Sequence, residues 1–201
     1  MGDPGPLAGE QTNVFKLLAR FFLYLTGWEA VGTRVADKKI VLVAAPHTSN
    51  WDLAYLLAIT RALDVKVSWI GKHSLFWWPV GPILRALGGV PVRRDRPEKV
   101  VEQIVRSFDQ AETLTLTITP EGTRSTARYW KSGFYRIAKA AGVPIQLSFA
   151  DYARRRGGFG PAFMPSDDVR ADMDKIRAYY AGVTGCHPEQ VGEIRLREED
   201  G

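Results

Sequence analysis

The sequence predicts an α/β domain built on a mixed, largely parallel sheet. Two observations carry this. Five short runs rich in β-branched and other apolar residues alternate with segments of helical periodicity. Turn chemistry (Gly, Pro, Asn, Ser) also punctuates the junctions between them. The chain has 201 residues, 45% hydrophobic and 24% charged, which suits one globular domain with a single sizeable core.

Residues 1–12 are rich in Gly and Pro and read as a flexible tail. From Asn13 to Thr26, Val14, Leu17, Leu18, Phe21, Phe22 and Leu25 recur at helical spacing, with Lys16 and Arg20 off that stripe. Asn13 offers a cap and Gly27 a stop. Two readings stand: a helix packed on the core, or one lying in a membrane interface with Trp28 as an anchor. Lys39–Ala45 then reads as a buried strand, 51–63 as a helix and Lys66–Gly71 as a strand. Pro79 and Pro82 break the aromatic stretch Leu75–Leu87. Gly89–Arg94 reads as an edge or bulged strand, since it holds a proline. Pro97–Gln110 reads as a helix with proline in its first turn. Leu114–Thr119 is a fourth strand, and Lys131–Ala141 a helix ended by Gly142. Val143–Phe149 is a fifth strand, Arg154–Arg156 with Gly157 and Gly158 an exposed hairpin, and Ser166 the cap of a helix running to about Tyr180. The organisation expected is therefore a tail (1–12), an amphipathic helix (13–28), the main domain (29–183) and a loose C-terminal tail (184–201).

Net charge is +5, from 27 basic and 22 acidic residues. Excess positive charge favours anionic partners: nucleic acid, an acidic membrane or a phosphorylated small molecule. Nucleic acid fits worst, because the aromatics cluster with apolar residues instead of interleaving with basic ones. The single cysteine, Cys186, excludes an internal disulfide. No cleavable signal pattern opens the chain, and no apolar run reaches the roughly 20 residues of a bilayer span. His73 and His187 lack ligand partners at telling spacing, so no metal is implied.

Two segments carry chemistry. In Pro46-His47-Thr48-Ser49-Asn50-Trp51-Asp52, His47 and Asp52 are five apart. On one helix they would point about 140° apart. They meet only if the helix starts between them, and Ser49 followed three later by Asp52 fits a capping box. Asp52 then has two readings: a cap on the Ser49 backbone, or a carboxylate that fixes the His47 tautomer so that the other ring nitrogen takes a proton. No nucleophile elbow occurs, so any hydroxyl His47 activates belongs to a substrate. The second segment is Pro120-Glu121-Gly122-Thr123-Arg124-Ser125. It reads either as a surface turn or as an anion clamp in which Arg124 grips phosphate from a strand's C-terminal end. Arg94, beside Arg93 and Arg96, and Lys72 are further candidates for the anion.

In chain order, His47-x-x-x-x-Asp52, Gly89-x-x-x-x-Arg94, Glu121-Gly122-Thr123-Arg124 and Val143-Pro144-Ile145 resemble the four motifs of the PlsC-type glycerolipid acyltransferases, relatives of lysophosphatidic acid acyltransferase. The resemblance covers roughly residues 39–149. It implies transfer of a fatty acyl group from acyl-CoA or acyl-carrier protein to a glycerolipid hydroxyl, with no cofactor. It implies that His47 is the general base, that Asp52 orients it and that Arg94 and Arg124 hold the acceptor's phosphate. Glu121, Gly122 and Thr123 would shape that site. The chain departs from the family's usual pattern at Pro46, where many members have Asn. The partners expected are a membrane lipid surface, the thioester donor and an anionic lipid acceptor, and the place expected is the cytoplasmic face of a membrane. Phe76, Trp77 and Trp78 are expected to line an acyl channel or to touch the membrane. A non-catalytic lipid-binding protein and a thioester or lipid hydrolase are the alternatives on the same residues.

Overall fold

The structure, a computed structural model, describes residues 7–92 and 97–200, with side chains described from 14 onward in the first helix and from 99 onward after the second stretch begins. Seven strands form one sheet: β1 (Glu29–Val31), β2 (Lys39–Ala44), β3 (Ser68–Lys72), β4 (Gly89–Val92), β5 (Leu114–Ile118), β6 (Ile145–Asp151) and β7 (Arg156–Phe163). Their spatial order is β1-β7-β6-β2-β5-β3-β4. Every pair is parallel except the β6–β7 hairpin. The helices are α1 (Leu7–Thr26), α2 (Trp51–Ala62), α3 (Val80–Ala86), α4 (Pro97–Gln110), α5 (Gly133–Ala141) and α6 (Val169–Tyr180).

Strand β2 is central, and Ile40, Val41, Leu42 and Val43 are all fully buried. Such a continuous apolar run is what a strand covered on both faces requires. Its alternation divides the core. Val41 and Val43 pack with Ile104, Phe108, Phe134, Ile137, Met173 and Ile176 of α4, α5 and α6. Leu42 packs on the opposite face with Val67, Phe159 and the α2 residues Leu56 and Leu57. Fully buried Gln146 ties the antiparallel edge together. Its amide donates to the carbonyls of Thr33 and Gly160 and accepts from the Val35 N–H.

Helix α1 lies against α2 through Ala19 and Leu23, with an ion pair from Lys16 to Asp64 at 3.0 Å. It begins at Leu7, well before Asn13, because Ala8, Glu10 and Gln11 are good helix formers and carry the helix through that position. Of the apolar stripe, Val14, Leu17, Leu18, Phe21 and Leu25 face outward, each more than half exposed, as are Phe15 and Tyr24, while Phe22 packs towards Tyr55. Among the described residues no helix is long and apolar enough to cross a membrane.

Several expectations need correction. Trp28 is buried instead of presented as an anchor, because its ring stacks on Tyr55 at 4.0 Å. Strands β1 and β7 were not foreseen. β7 contains Gly157, Gly158, Gly160 and Pro161, which hide its periodicity, and β1 is three residues long. In the turn between β6 and β7, Arg154 donates to Asp151 at 2.6 Å and to the Gly182 carbonyl. The N-cap of α6 is Asp168, which accepts the Ala171 N–H, while Ser166 hydrogen-bonds to Asp172. Residues 184–200 are packed. Leu196 is buried and bridges to Trp130, and Glu199 accepts from the Leu196 N–H and from Arg177.

Candidate active site

The site lies at the carboxyl ends of four adjacent strands, β6, β2, β5 and β3, where open α/β sheets place their ligands. The β2–α2 loop supplies His47, the loop after β5 supplies residues 119–125, the end of β3 supplies Lys72, and the turn after β6 supplies Tyr152.

His47 Nδ1 lies 3.1 Å from Asp52 Oδ2. The helix does start between the two residues, at Trp51, which lets them meet. Asp52 makes both of the contacts that the sequence left open, to the imidazole and to the backbone of the loop. Its Oδ2 also accepts the backbone N–H groups of Thr48 and Ser49, each at 2.8 Å. The loop carrying the imidazole is thus tied to the carboxylate that orients it. The reciprocal half of the capping box is missing: Ser49 Oγ accepts from the Trp51 N–H. Asp52 Oδ1 accepts a 2.7 Å hydrogen bond from the Tyr152 hydroxyl. Burial disfavours the charged carboxylate, but the bonds from His47, Tyr152 and the Ser49 N–H outweigh it and hold Asp52 below the usual carboxylate range. With Nδ1 bonded to Asp52, His47 Nε2 has no partner among the described residues and is left to exchange a proton.

Glu121 sits beneath this loop. Its Oε1 accepts the His47 N–H at 3.0 Å, and its buried Oε2 has no hydrogen-bond partner. Burial pushes its carboxyl up to about 6, despite the backbone bonds it accepts. Its carboxylate therefore holds the His47 backbone instead of lining the cavity, where its neighbours Gly122, Thr123 and Arg124 stand. Gly122 adopts φ +64°, and a Cβ there would press on the Lys131 side chain at 2.8 Å, so the turn after β5 requires glycine. Arg124 and Lys72 are exposed and, among the described residues, no ion pair holds either one. Arg94 lies outside the described residues.

A cavity of about 500 Å³ opens beside His47. Its polar end carries His47, Lys72, Thr123 and Arg124, and it continues along Leu53, Leu56, Ile59, Trp69, Ile70 and Phe159 between α2 and the sheet. The aromatic run, expected either to line it or to touch a membrane, lies outside the lining. Phe76 is buried against Trp69 and fills the space left by Gly71 and Gly89, while Trp77 and Trp78 point to solvent. Leu75 does reach the cavity. Sequence reasoning missed Tyr152, which is 100 positions from Asp52 and belongs to no local pattern.

A base with its orienting carboxylate, at the mouth of an apolar cavity bearing exposed cationic groups, can deprotonate a hydroxyl beside an anionic group. The model of the Acyltransferase family matches residues 28–146, more than half of the chain. The chain belongs to the acyltransferase family. Its fold is of the PlsC type. The crystal structure of the 1-acyl-sn-glycerophosphate (LPA) acyltransferase PlsC from Thermotoga maritima superposes with a TM-score of 0.58, covering 85% of this chain and 75% of that one at 18% identity. Among proteins of curated function, none matches the chain.

Proposed function

We propose that this acyltransferase moves a fatty acyl group from a thioester donor, acyl-CoA or acyl-carrier protein, to a hydroxyl of an anionic glycerolipid at a membrane surface. The observation that carries the reading is the His47–Asp52 pair at the mouth of an apolar cavity whose polar rim bears Arg124 and Lys72. The lysophosphatidate acceptor named for the Thermotoga protein has the hydroxyl and the phosphate this rim would take.

His47 Nε2 accepts the hydroxyl proton as that oxygen attacks the thioester carbonyl. Asp52 holds the ring and balances the imidazolium charge. The tetrahedral adduct collapses, the C–S bond breaks, and the proton passes from His47 to the departing thiolate. Arg124 and Lys72 hold the acceptor's anionic group, with Arg94 in the same role. The acyl chain lies along Leu56, Ile59 and Phe159. The outward face of α1 and the exposed Trp77 and Trp78 seat the protein on the lipid surface, which brings the cavity mouth to its substrates.

The test offers purified protein mixed acyl-CoAs or acyl-carrier proteins together with a panel of lysophospholipids and glycolipids. Mass spectrometry then reads the products. An acylated anionic glycerolipid is expected. Free fatty acid as the main product, independent of any acceptor, would make the protein a hydrolase. Vesicle binding with no thioester consumed from either donor would make it a lipid-binding protein.

A further inference from the structure

We propose that Tyr152 is a positioning residue for the reaction, acting through the hydrogen bond its hydroxyl donates to Asp52 Oδ1; this rests on the acyl-transfer reading above. Tyr152 lies in the turn after β6, beyond the residues that the family model matches. The geometry gives Asp52 two distinct ends. Oδ2 holds His47 Nδ1 and the N–H groups of Thr48 and Ser49, and Oδ1 holds Tyr152 at 2.7 Å.

A carboxylate held only through Oδ2 can rotate about its χ2 bond, which is soft for this side chain. Any rotation carries Oδ2 away from the imidazole. The bond at Oδ1 closes that freedom. The tyrosine itself is packed on both sides. Trp28 meets its ring edge-on at 4.9 Å and Tyr55 at 5.7 Å, and its backbone N–H donates to the Thr184 carbonyl. A packed donor on one side of the carboxylate thus fixes the base on the other. Such outer contacts set how precisely a reacting group is aimed.

Tyr152→Phe removes the hydroxyl and keeps the ring. A hydrogen bond to a charged group of this kind corresponds to a loss of about 10- to 100-fold in kcat. The KM values for donor and acceptor should stay within about twofold, since the tyrosine touches neither. In an Asp52→Asn background the same substitution should cost almost nothing further, because its effect runs through the carboxylate. Tyr55→Phe, which removes a neighbouring hydroxyl with no bond to Asp52, should turn over like wild type.

The His47 imidazole resonances, assigned by their loss in His47→Gln, read the same geometry without turnover. They should move in Tyr152→Phe and stay in Tyr55→Phe. Wild-type kcat with unmoved resonances in Tyr152→Phe would overturn the proposal, as would an equal loss in the Asp52→Asn background. Absence of transfer by the wild type itself would count against the acyl-transfer reading instead, and the resonances would still decide the role of Tyr152.

Discussion

At the residue scale, the loop from Ala45 to Trp51 is over-determined around one imidazole. Asp52, Glu121 and the His187 N–H, which donates to Thr48 Oγ1 at 3.0 Å, each hold a different part of it. The two buried carboxyls behave oppositely. Asp52, held low, contributes stability that is present above its ordinary range and is lost as pH falls through its lowered pKa. Glu121 is raised, so its neutral form is the one the fold favours. Its contribution is complete below about 4.5 and is lost as pH rises towards about 6. Denaturant titrations between these two pH values should show wild type losing stability and Glu121→Gln lacking that loss. Parallel curves would contradict the assignment. Arg124→Ala should raise the acceptor KM about 10-fold or more while kcat changes little, because a charge-assisted contact is lost from binding. An unchanged KM would remove Arg124 from the site.

At the element scale, α1 is the informative helix. The sequence showed its apolar stripe but not which way the stripe points. Periodicity marks a face and cannot say whether protein or lipid covers it. Here Ala19, Phe22 and Leu23 face α2, and the other large apolar residues from Val14 to Leu25 face outward. Replacing Phe21 and Leu25 together by Ser should weaken binding to anionic vesicles by at least 10-fold, since each exposed side chain that inserts is worth about 1.5–3 kcal/mol. Turnover on a dispersed short-chain acceptor should persist. Co-sedimentation with vesicles and the soluble assay check the two halves. Elsewhere, legibility followed locality. Helix α4 was readable because Pro97 opens it and its apolar spacing is regular, and the end of α5 was readable because Gly142 takes the left-handed conformation. Strand β1 was not, because it is three residues long and pairs with β7 far along the chain, and β7 was not, because its glycines and proline hide its periodicity. The meeting of His47 with Asp52 was readable for the same local reason, whereas Tyr152 arrives from the distant turn after β6. The burial of Glu121 depends on the whole sheet.

At the scale of the whole molecule, the sheet brings four strand ends to one edge, while α2 and the sheet enclose an apolar cavity leading away from it. In the proposed reaction, one end does the chemistry and the other accommodates the acyl chain. Leu56→Trp, which fills part of that cavity, should shift the products towards shorter acyl groups while transfer of a short chain continues. An unaltered chain-length profile would place the acyl group elsewhere. The packed C-terminal segment belongs to the same design, since His187 and Thr184 brace the loop and turn that meet at Asp52.

The account stands on His47 as the proton acceptor. The most direct measurement is ester formation by wild type and His47→Ala in one assay, with thermal melting of both. A variant that melts like wild type and transfers at least about 10³-fold more slowly is the predicted result. Transfer near the wild-type rate by a folded His47→Ala protein would contradict the account.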